Sequence, residues 1–251
     1  MKTPDAGGRG RLLSLRAAYG VACYAVFAVS LTVLGGFLSN LPGWPVTMDG
    51  KATLPAGQAA VIDLLLIAAF GVQHSGMARR AFKRRLTRIV PEPVERSTYV
   101  LTSSLTVILL CLLWQPIPWP VWRVASAPAA AALMALGAAG LVLAAQASFA
   151  IDHFALFGLR QSGVVRGPGP QGFITPGAYA HVRHPIYLGT LILLWTVPVM
   201  SLGHLVFSTG LTLYTVVGAR LEERDLIATF GETYRRYRAT VPMLLPRLAR
   251  R

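Results

Sequence analysis

Charge is what this chain has least of. Asp, Glu, Lys and Arg make up only 14% of its 251 residues, against about 25% in an ordinary soluble domain. Hydrophobic residues make up 54%, a balance that excludes a water-soluble globular protein and requires a bilayer as solvent. Acids are scarcest, 10 against 24 basic residues. Cysteine is nearly absent: Cys23 and Cys111 both fall inside apolar runs, so neither a disulfide framework nor a metal site is expected. A cleavable leader is not expected either, because the first apolar run exceeds 20 residues and lacks an A-x-A ending. Nor is there a phosphate loop or dinucleotide fingerprint, since "GPGPQG", Gly167 to Gly172, has no strand before it and no helix after it. No Rossmann domain is expected.

What the chain does have is long apolar runs. Residues 17–38, 56–73, 97–114 and 124–151 can each cross a hydrocarbon core of about 30 Å as one helix. The fourth holds an Ala/Gly/Leu-rich tract, Ala129 to Ala147, whose small residues favour close helix contact. Residues 185–219 contain no charged side chain over 35 positions and carry Pro198 and Gly203 near the middle, which predicts two short helices forming a hairpin. The fold class that follows is an all-α integral membrane protein with five or six transmembrane helices. Residues 1–151 form the N-terminal helices; residues 152–251 form a second region of amphipathic loop, hairpin and C-terminal helix.

Basic residues orient the chain, because cytoplasmic flanks retain Lys and Arg. Four precede the first span (Lys2, Arg9, Arg11, Arg16), seven lie between Arg79 and Arg96, three between the fourth and fifth spans, and eight from Arg220 onward. Only Lys51 and Arg123 fall in the other loops. Both termini are therefore expected in the cytoplasm, and the net charge of +14 reads as topology and anionic headgroup contact. A nucleic-acid partner is not expected, since no basic face with interleaved aromatics stands on a soluble module.

Polar residues inside or beside the spans are costly unless paired or wetted, so function should show there. Asp63 interrupts the second span, as a buried hydrogen-bonding group or as a carboxylate snorkelling outward. His74 ends that span, and His204 sits in the external turn with a structural role. "FAIDHFALFGLRQ", Phe149 to Gln161, mixes Asp152, His153 and Arg160 with aromatics, a pattern suited to a short amphipathic lid.

The densest motif is "HVRHPIYLG", His181 to Gly189. Proline disfavours the α conformation in the residue before it and suits the first helical position, which puts His184 at an N-cap and Pro185 at the start of a helix. The backbone N–H groups of Ile186, Tyr187 and Leu188, with Arg183 beside them, would make an anion site, and Gly189 would allow close approach of backbone or ligand. Taken alone, the motif reads rather as helix capping with Arg183 on lipid phosphate. Farther on, Glu222 and Glu223 stand between Arg220 and Arg224 in "GARLEERDL". Neighbours on a helix lie about 100° apart, which predicts that one carboxylate faces a ligand while the other pairs with arginine. Phe230, Tyr234, Tyr237 and Val241 form an aromatic stripe at helical spacing, with Arg235, Arg236 and Arg238 turned outward. Gly231 is expected to bend or cap the helix.

The combination of "RHPIYLG" with "EERDL" and "FGETYRRYRATVPMLLP" resembles the isoprenylcysteine carboxyl methyltransferase superfamily of integral-membrane enzymes. Within it, "FGVQHSGMARRAFKR", "ERSTYVL" and "DHFALFGLRQ" resemble bacterial methanethiol S-methyltransferases. The likeness runs from about Phe70 to Pro246. It implies a catalytic C-terminal region, multi-pass insertion in the bacterial cytoplasmic membrane, and a site for S-adenosylmethionine open to the cytosol. Arg183, His184, Tyr187, Leu188, Gly189, Glu222, Glu223, Tyr234 and Tyr237 would hold that cofactor, with no metal. His153 or His181 would take the proton of a small volatile thiol, and Arg160 would stabilise the anion. A carboxyl methyltransferase for a lipophilic substrate and a non-catalytic NnrU-type membrane protein are the alternatives. The sequence leaves the oligomeric state open.

Overall fold

The computed structural model describes residues 6–169 and 172–246, with side chains from Leu12 onward. Lys2, Arg247, Arg250 and Arg251 of the charge count, the side chains of Arg9 and Arg11, and Pro170 and Gln171 of the glycine-proline stretch lie outside the described residues. The elements are α1 (Ala6–Ser39), α2 (Ala56–Ala78), α3 (Arg80–Leu86), α4 (Glu92–Leu113), β1 (Pro120–Arg123), α5 (Ala127–Ile151), α6 (His153–Leu156), a 3-10 turn (Gly177–Ala180), α7 (Pro185–Trp195), β2 (Val199–Ser201), α8 (Leu202–Phe230) and α9 (Glu232–Thr240).

Among the described residues five helices are long and apolar enough to span a bilayer: Leu12–Ser39, Ala56–Ala78, Glu92–Leu113, Ala127–Ile151 and Leu202–Phe230. The protein is a multi-pass membrane protein. Its outward leucines and valines, among them Leu65, Val72, Leu141 and Leu213, are what a surface solvated by acyl chains requires. Three helices start on a proline in the first turn, α4, α5 and α7, where the missing N–H costs nothing. The spans run past the sequence estimates: α2 continues to Ala78, and α4 begins at Glu92.

The hairpin differs from the expected pair of short helices. α7 has eleven residues, about 16 Å of helix, whereas α8 has 29 and runs unbroken through the acidic "EERDL" stretch to Phe230. α7 stops early because Pro198 biases the preceding residues away from α geometry. The carbonyl of Leu194, left free near that end, accepts from Nε2 of His204 at 3.0 Å and from the Ser208 hydroxyl at 3.1 Å. His204 thus serves the hairpin itself, from the first turn of α8.

The chain forms two compact units that interleave in sequence. The first comprises residues 1–47, 68–114 and 153–169; the second comprises 48–67, 115–152 and 170–251. In the first, α1 lies against α4, with the Tyr19 and Thr98 hydroxyls 3.0 Å apart. The segment from His153 to Gly163 is not a free lid. Ser97 donates to the Gly158 carbonyl at 3.2 Å and Nε of Arg96 to the Leu156 carbonyl at 2.7 Å, with Leu159 buried.

In the second unit α7 runs antiparallel along α5 at backbone contact. A Cβ on Gly189 would lie 2.3 Å from the Gly140 carbonyl and 2.8 Å from the Ala144 nitrogen. That closeness is what the small residues of α5 allow. β1 pairs antiparallel with β2, so α7 and the extended residues after it retrace α5 to its start. Asp63 is fully buried and accepts the Gln115 N–H at 2.9 Å; it is a hydrogen-bonding group, not a snorkelling one.

Candidate active site

Much of the proposed cofactor set gathers around the start of α7. His184 is the N-cap residue and Pro185 the first helical one, as the motif requires, although the His184 side chain makes no capping bond. It is free for another task. Residues 183 and 184 are instead held by their backbones: Arg183 N–H donates to the Pro242 carbonyl at 2.9 Å, and His184 N–H to the Met243 carbonyl at 3.2 Å. The "VPM" segment therefore returns to lie beside the motif, 59 positions later in each pair. Leu188 N–H donates to the His184 carbonyl, so it is spent in the helix rather than offered to an anion.

Arg183 is turned inward. Its Nε donates to Oε1 of Glu223 at 2.6 Å, and its Nη1 donates to the carbonyls of Arg238, at 3.1 Å, and of Val241. Oε1 of Glu223 also accepts from Nε2 of His184 at 3.2 Å, and Oε2 lies 3.3 Å from Nε of Arg238. The Glu223 side chain is only 5% exposed, and three cationic or N–H groups balance it, as a buried carboxylate requires.

Glu222 stands differently, with its side chain 47% exposed. It accepts the Tyr187 hydroxyl at 3.0 Å, and Oε2 lies 3.7 Å from Nδ1 of His184. The His184 imidazole thus sits between the two glutamates and presents a nitrogen to each. Glu223 is the one that pairs with arginine, and Glu222 stays half-exposed. The His184 ring stacks on Tyr187, centroids 5.3 Å apart and 16° from parallel.

The aromatic stripe turns inward as well. Gly231, at φ +57°, breaks α8 from α9, a geometry a side chain would resist. The turn lets Phe230, Tyr234 and Tyr237 close on Phe173, with centroids 5.4, 5.5 and 5.1 Å away. Tyr237 donates to the Tyr179 carbonyl at 2.6 Å. Tyr234 is 1% exposed, yet its hydroxyl has no hydrogen-bond partner among the described residues. Burial, reinforced by the Glu223 carboxylate, pushes the Tyr234 phenol well above its ordinary range; burial raises Tyr237 to about 12, against the lowering pull of Arg183. Both are neutral hydroxyls at pH 7.

The remaining predicted residues lie elsewhere. His181 is exposed at the end of the 3-10 turn. Gly189 faces α5, so the close approach it permits is to backbone. In the first unit, Arg160 donates to the Gly167 carbonyl at 2.8 Å. His153 is buried, with Nε2 2.8 Å from the Tyr24 hydroxyl and its ring against Phe154 and Phe157. His74 is also held on both nitrogens, by the Tyr99 hydroxyl at 2.7 Å and the Ser103 hydroxyl at 3.1 Å.

Arg238, expected to turn outward with Arg235 and Arg236, instead brings its Nε within 3.3 Å of the buried Glu223 carboxylate while half its side chain stays exposed. Sequence reasoning missed Phe173 and Tyr24, single aromatics brought in by tertiary folding.

Similarity to characterised proteins is extensive. The chain is 46% identical to methanethiol S-methyltransferase 1 of Bradyrhizobium diazoefficiens over 91% of its own length and 81% of that protein. It is 44% identical to methanethiol S-methyltransferase of Mycobacterium tuberculosis over 91% of its length and 94% of that protein. A more distant likeness, 34% identity over 65% of the chain and 61% of the relative, is to nurim of Xenopus laevis. No protein-family model matches the chain, and no solved structure is similar to it.

Proposed function

The chain belongs to the methanethiol S-methyltransferase family, and from that premise we propose that it methylates methanethiol to dimethyl sulfide with S-adenosylmethionine as donor. The reaction takes place at the bacterial cytoplasmic membrane, with both termini in the cytoplasm; the distribution of Lys and Arg supports that orientation.

The observation that carries the reading is the division of the cluster around His184 into a closed half and an open half. In the closed half the Glu223 carboxylate is fully balanced by Arg183 and Arg238. The open half offers the half-exposed Glu222 carboxylate, the stacked His184 and Tyr187 rings, and a buried Tyr234 hydroxyl without a partner. Those groups fit a ligand bearing an ammonium, a sulfonium, ribose hydroxyls and a flat base. Glu222 supplies the counter-charge, the aromatic faces accept a cation, and the Tyr234 hydroxyl gains the bond it lacks. Arg183, with the backbone pairing of residues 183–184 to 242–243, holds the start of α7 in place. Gly189 supports the site by letting α7 pack on α5.

When bound, S-adenosylmethionine supplies a methyl carbon made electrophilic by its sulfonium. The protein must then align a thiol sulfur behind that carbon, exclude water, and take the thiol proton. For the proton and the anion the candidates stay His153, held by the Tyr24 hydroxyl among aromatic rings, the exposed His181, and Arg160, which donates to the Gly167 carbonyl.

Calorimetric titration of the purified protein with S-adenosylmethionine tests the donor assignment. Binding that weakens in Glu222→Gln and Tyr234→Phe, and is unchanged in His181→Gln, is the expected pattern. Absence of binding by the wild type overturns the reading.

A further inference from the structure

Seven basic residues lie between positions 79 and 96, more than this connection uses itself. Three of them, Arg79, Arg80 and Arg96, are engaged within the protein. Arg79 donates through Nε to the Ser75 carbonyl at 3.1 Å, and Arg96 bonds the Leu156 carbonyl and lies over the Tyr99 ring at 4.7 Å. Lys83, Arg84, Arg85 and Arg88 make no side-chain ion pair with any described residue, and the three arginines are exposed. They are four cations in six positions, with the nearest carboxylates at Glu92 and Glu95, in the first turn of the next helix.

Their position is fixed at the membrane edge. α3 begins two residues after the apolar α2 ends, and Leu86 packs against the buried core of Met77, Tyr99 and Val100. Around that anchor two large apolar side chains point outward, Phe82 at 40% and Ile89 at 86% exposure. Unpaired cations interleaved with outward apolar groups, beside a transmembrane helix, match a negatively charged headgroup layer above acyl chains.

We propose that Lys83, Arg84, Arg85 and Arg88, with Phe82 and Ile89, form a docking surface for anionic phospholipids. Arg79 and Arg96, which flank the same connection, are engaged within the protein, whereas these four are not spent on any described acidic group. Binding by this surface is distinct from the cofactor reading and stands or falls separately from it.

The test uses the full chain in nanodiscs containing equal parts phosphatidylcholine and phosphatidylglycerol, with lipids retained on release read by native mass spectrometry. The wild type should retain phosphatidylglycerol over phosphatidylcholine by at least about fivefold, with the preference falling in 1 M salt. In K83Q/R84Q/R85Q/R88Q the preference should drop close to parity. R235Q/R236Q, which removes exposed arginines already facing Glu232, should retain it. If the quadruple variant is poorly recovered, R84Q/R88Q should give an intermediate preference. Unchanged preference in either α3 variant, or equal loss in R235Q/R236Q, overturns the proposal.

Discussion

Glutamine at position 223 should cost the fold far more than glutamine at position 222. Glu223 sits 5% exposed with Arg183 at 2.6 Å, His184 at 3.2 Å and Arg238 at 3.3 Å. Glu223→Gln keeps the shape but leaves the 10%-exposed Arg183 guanidinium facing a neutral amide and places an N–H₂ against one of its donors. Breaking a buried pair by removing one partner costs about 3–5 kcal/mol. At roughly 2–4 °C per kcal/mol for a chain of this size, the melting temperature should fall by about 6–20 °C. Glu222 is 47% exposed and keeps one hydroxyl contact and one long approach to His184. Solvent screening limits that loss to about 1 kcal/mol or less. Thermal unfolding of both detergent-solubilised variants, paired with cofactor titration, separates the roles: Glu222→Gln should melt near wild type yet bind S-adenosylmethionine about tenfold more weakly, a loss of roughly 1.4 kcal/mol. Equal melting losses in the two variants, or none in Glu223→Gln, would refute the division.

Tyr234→Phe removes a buried hydroxyl that has no partner, so it should leave the melting temperature unchanged or raise it by the equivalent of about 1 kcal/mol, while weakening cofactor binding in the same titration. Gly189→Ala drives a Cβ into the Gly140 carbonyl and Ala144 nitrogen; a loss of at least about 1–3 kcal/mol, read as a lower melting temperature, is expected. For pH, the sign follows from folded phenols raised above their unfolded value of 10.0, with Tyr237 at about 12. Their contribution is fully present below pH 10 and is lost as pH rises through 12, so absorbance titration of tyrosinate should show late ionisation coincident with alkaline unfolding. Tyr24→Phe takes the hydrogen-bond partner from Nε2 of the buried His153 and should lower the melting temperature by the equivalent of about 1–3 kcal/mol; an unchanged melting temperature would show that the bond does not hold that ring.

The spans were legible because a charge-free stretch of about twenty residues has one stable form in a bilayer. The start of α7 was equally legible, since Pro185 dictates both its own position and that of His184. Less could be read where packing decides. The 35 uncharged residues after the motif contain two possible helices, but their unequal lengths depend on β1 pairing with β2 and on His204 and Ser208 reaching the Leu194 carbonyl. The sharing of His184 by Glu222 and Glu223 escaped a purely angular argument because that argument omits the width of the imidazole. Phe173 joins Tyr234 and Tyr237 from a loop with no periodicity, and Tyr24 meets His153 from 129 residues away. Neither contact leaves a local trace.

The most direct measurement supplies membranes carrying the protein with methanethiol and S-adenosylmethionine labelled as a trideuterated methyl, then analyses the headspace by mass spectrometry, with a prenylcysteine analogue assayed in parallel. The account predicts dimethyl sulfide bearing one deuterated methyl group, absent from membranes lacking the protein. Labelled methyl ester on the prenylcysteine analogue, with no labelled dimethyl sulfide, would contradict it.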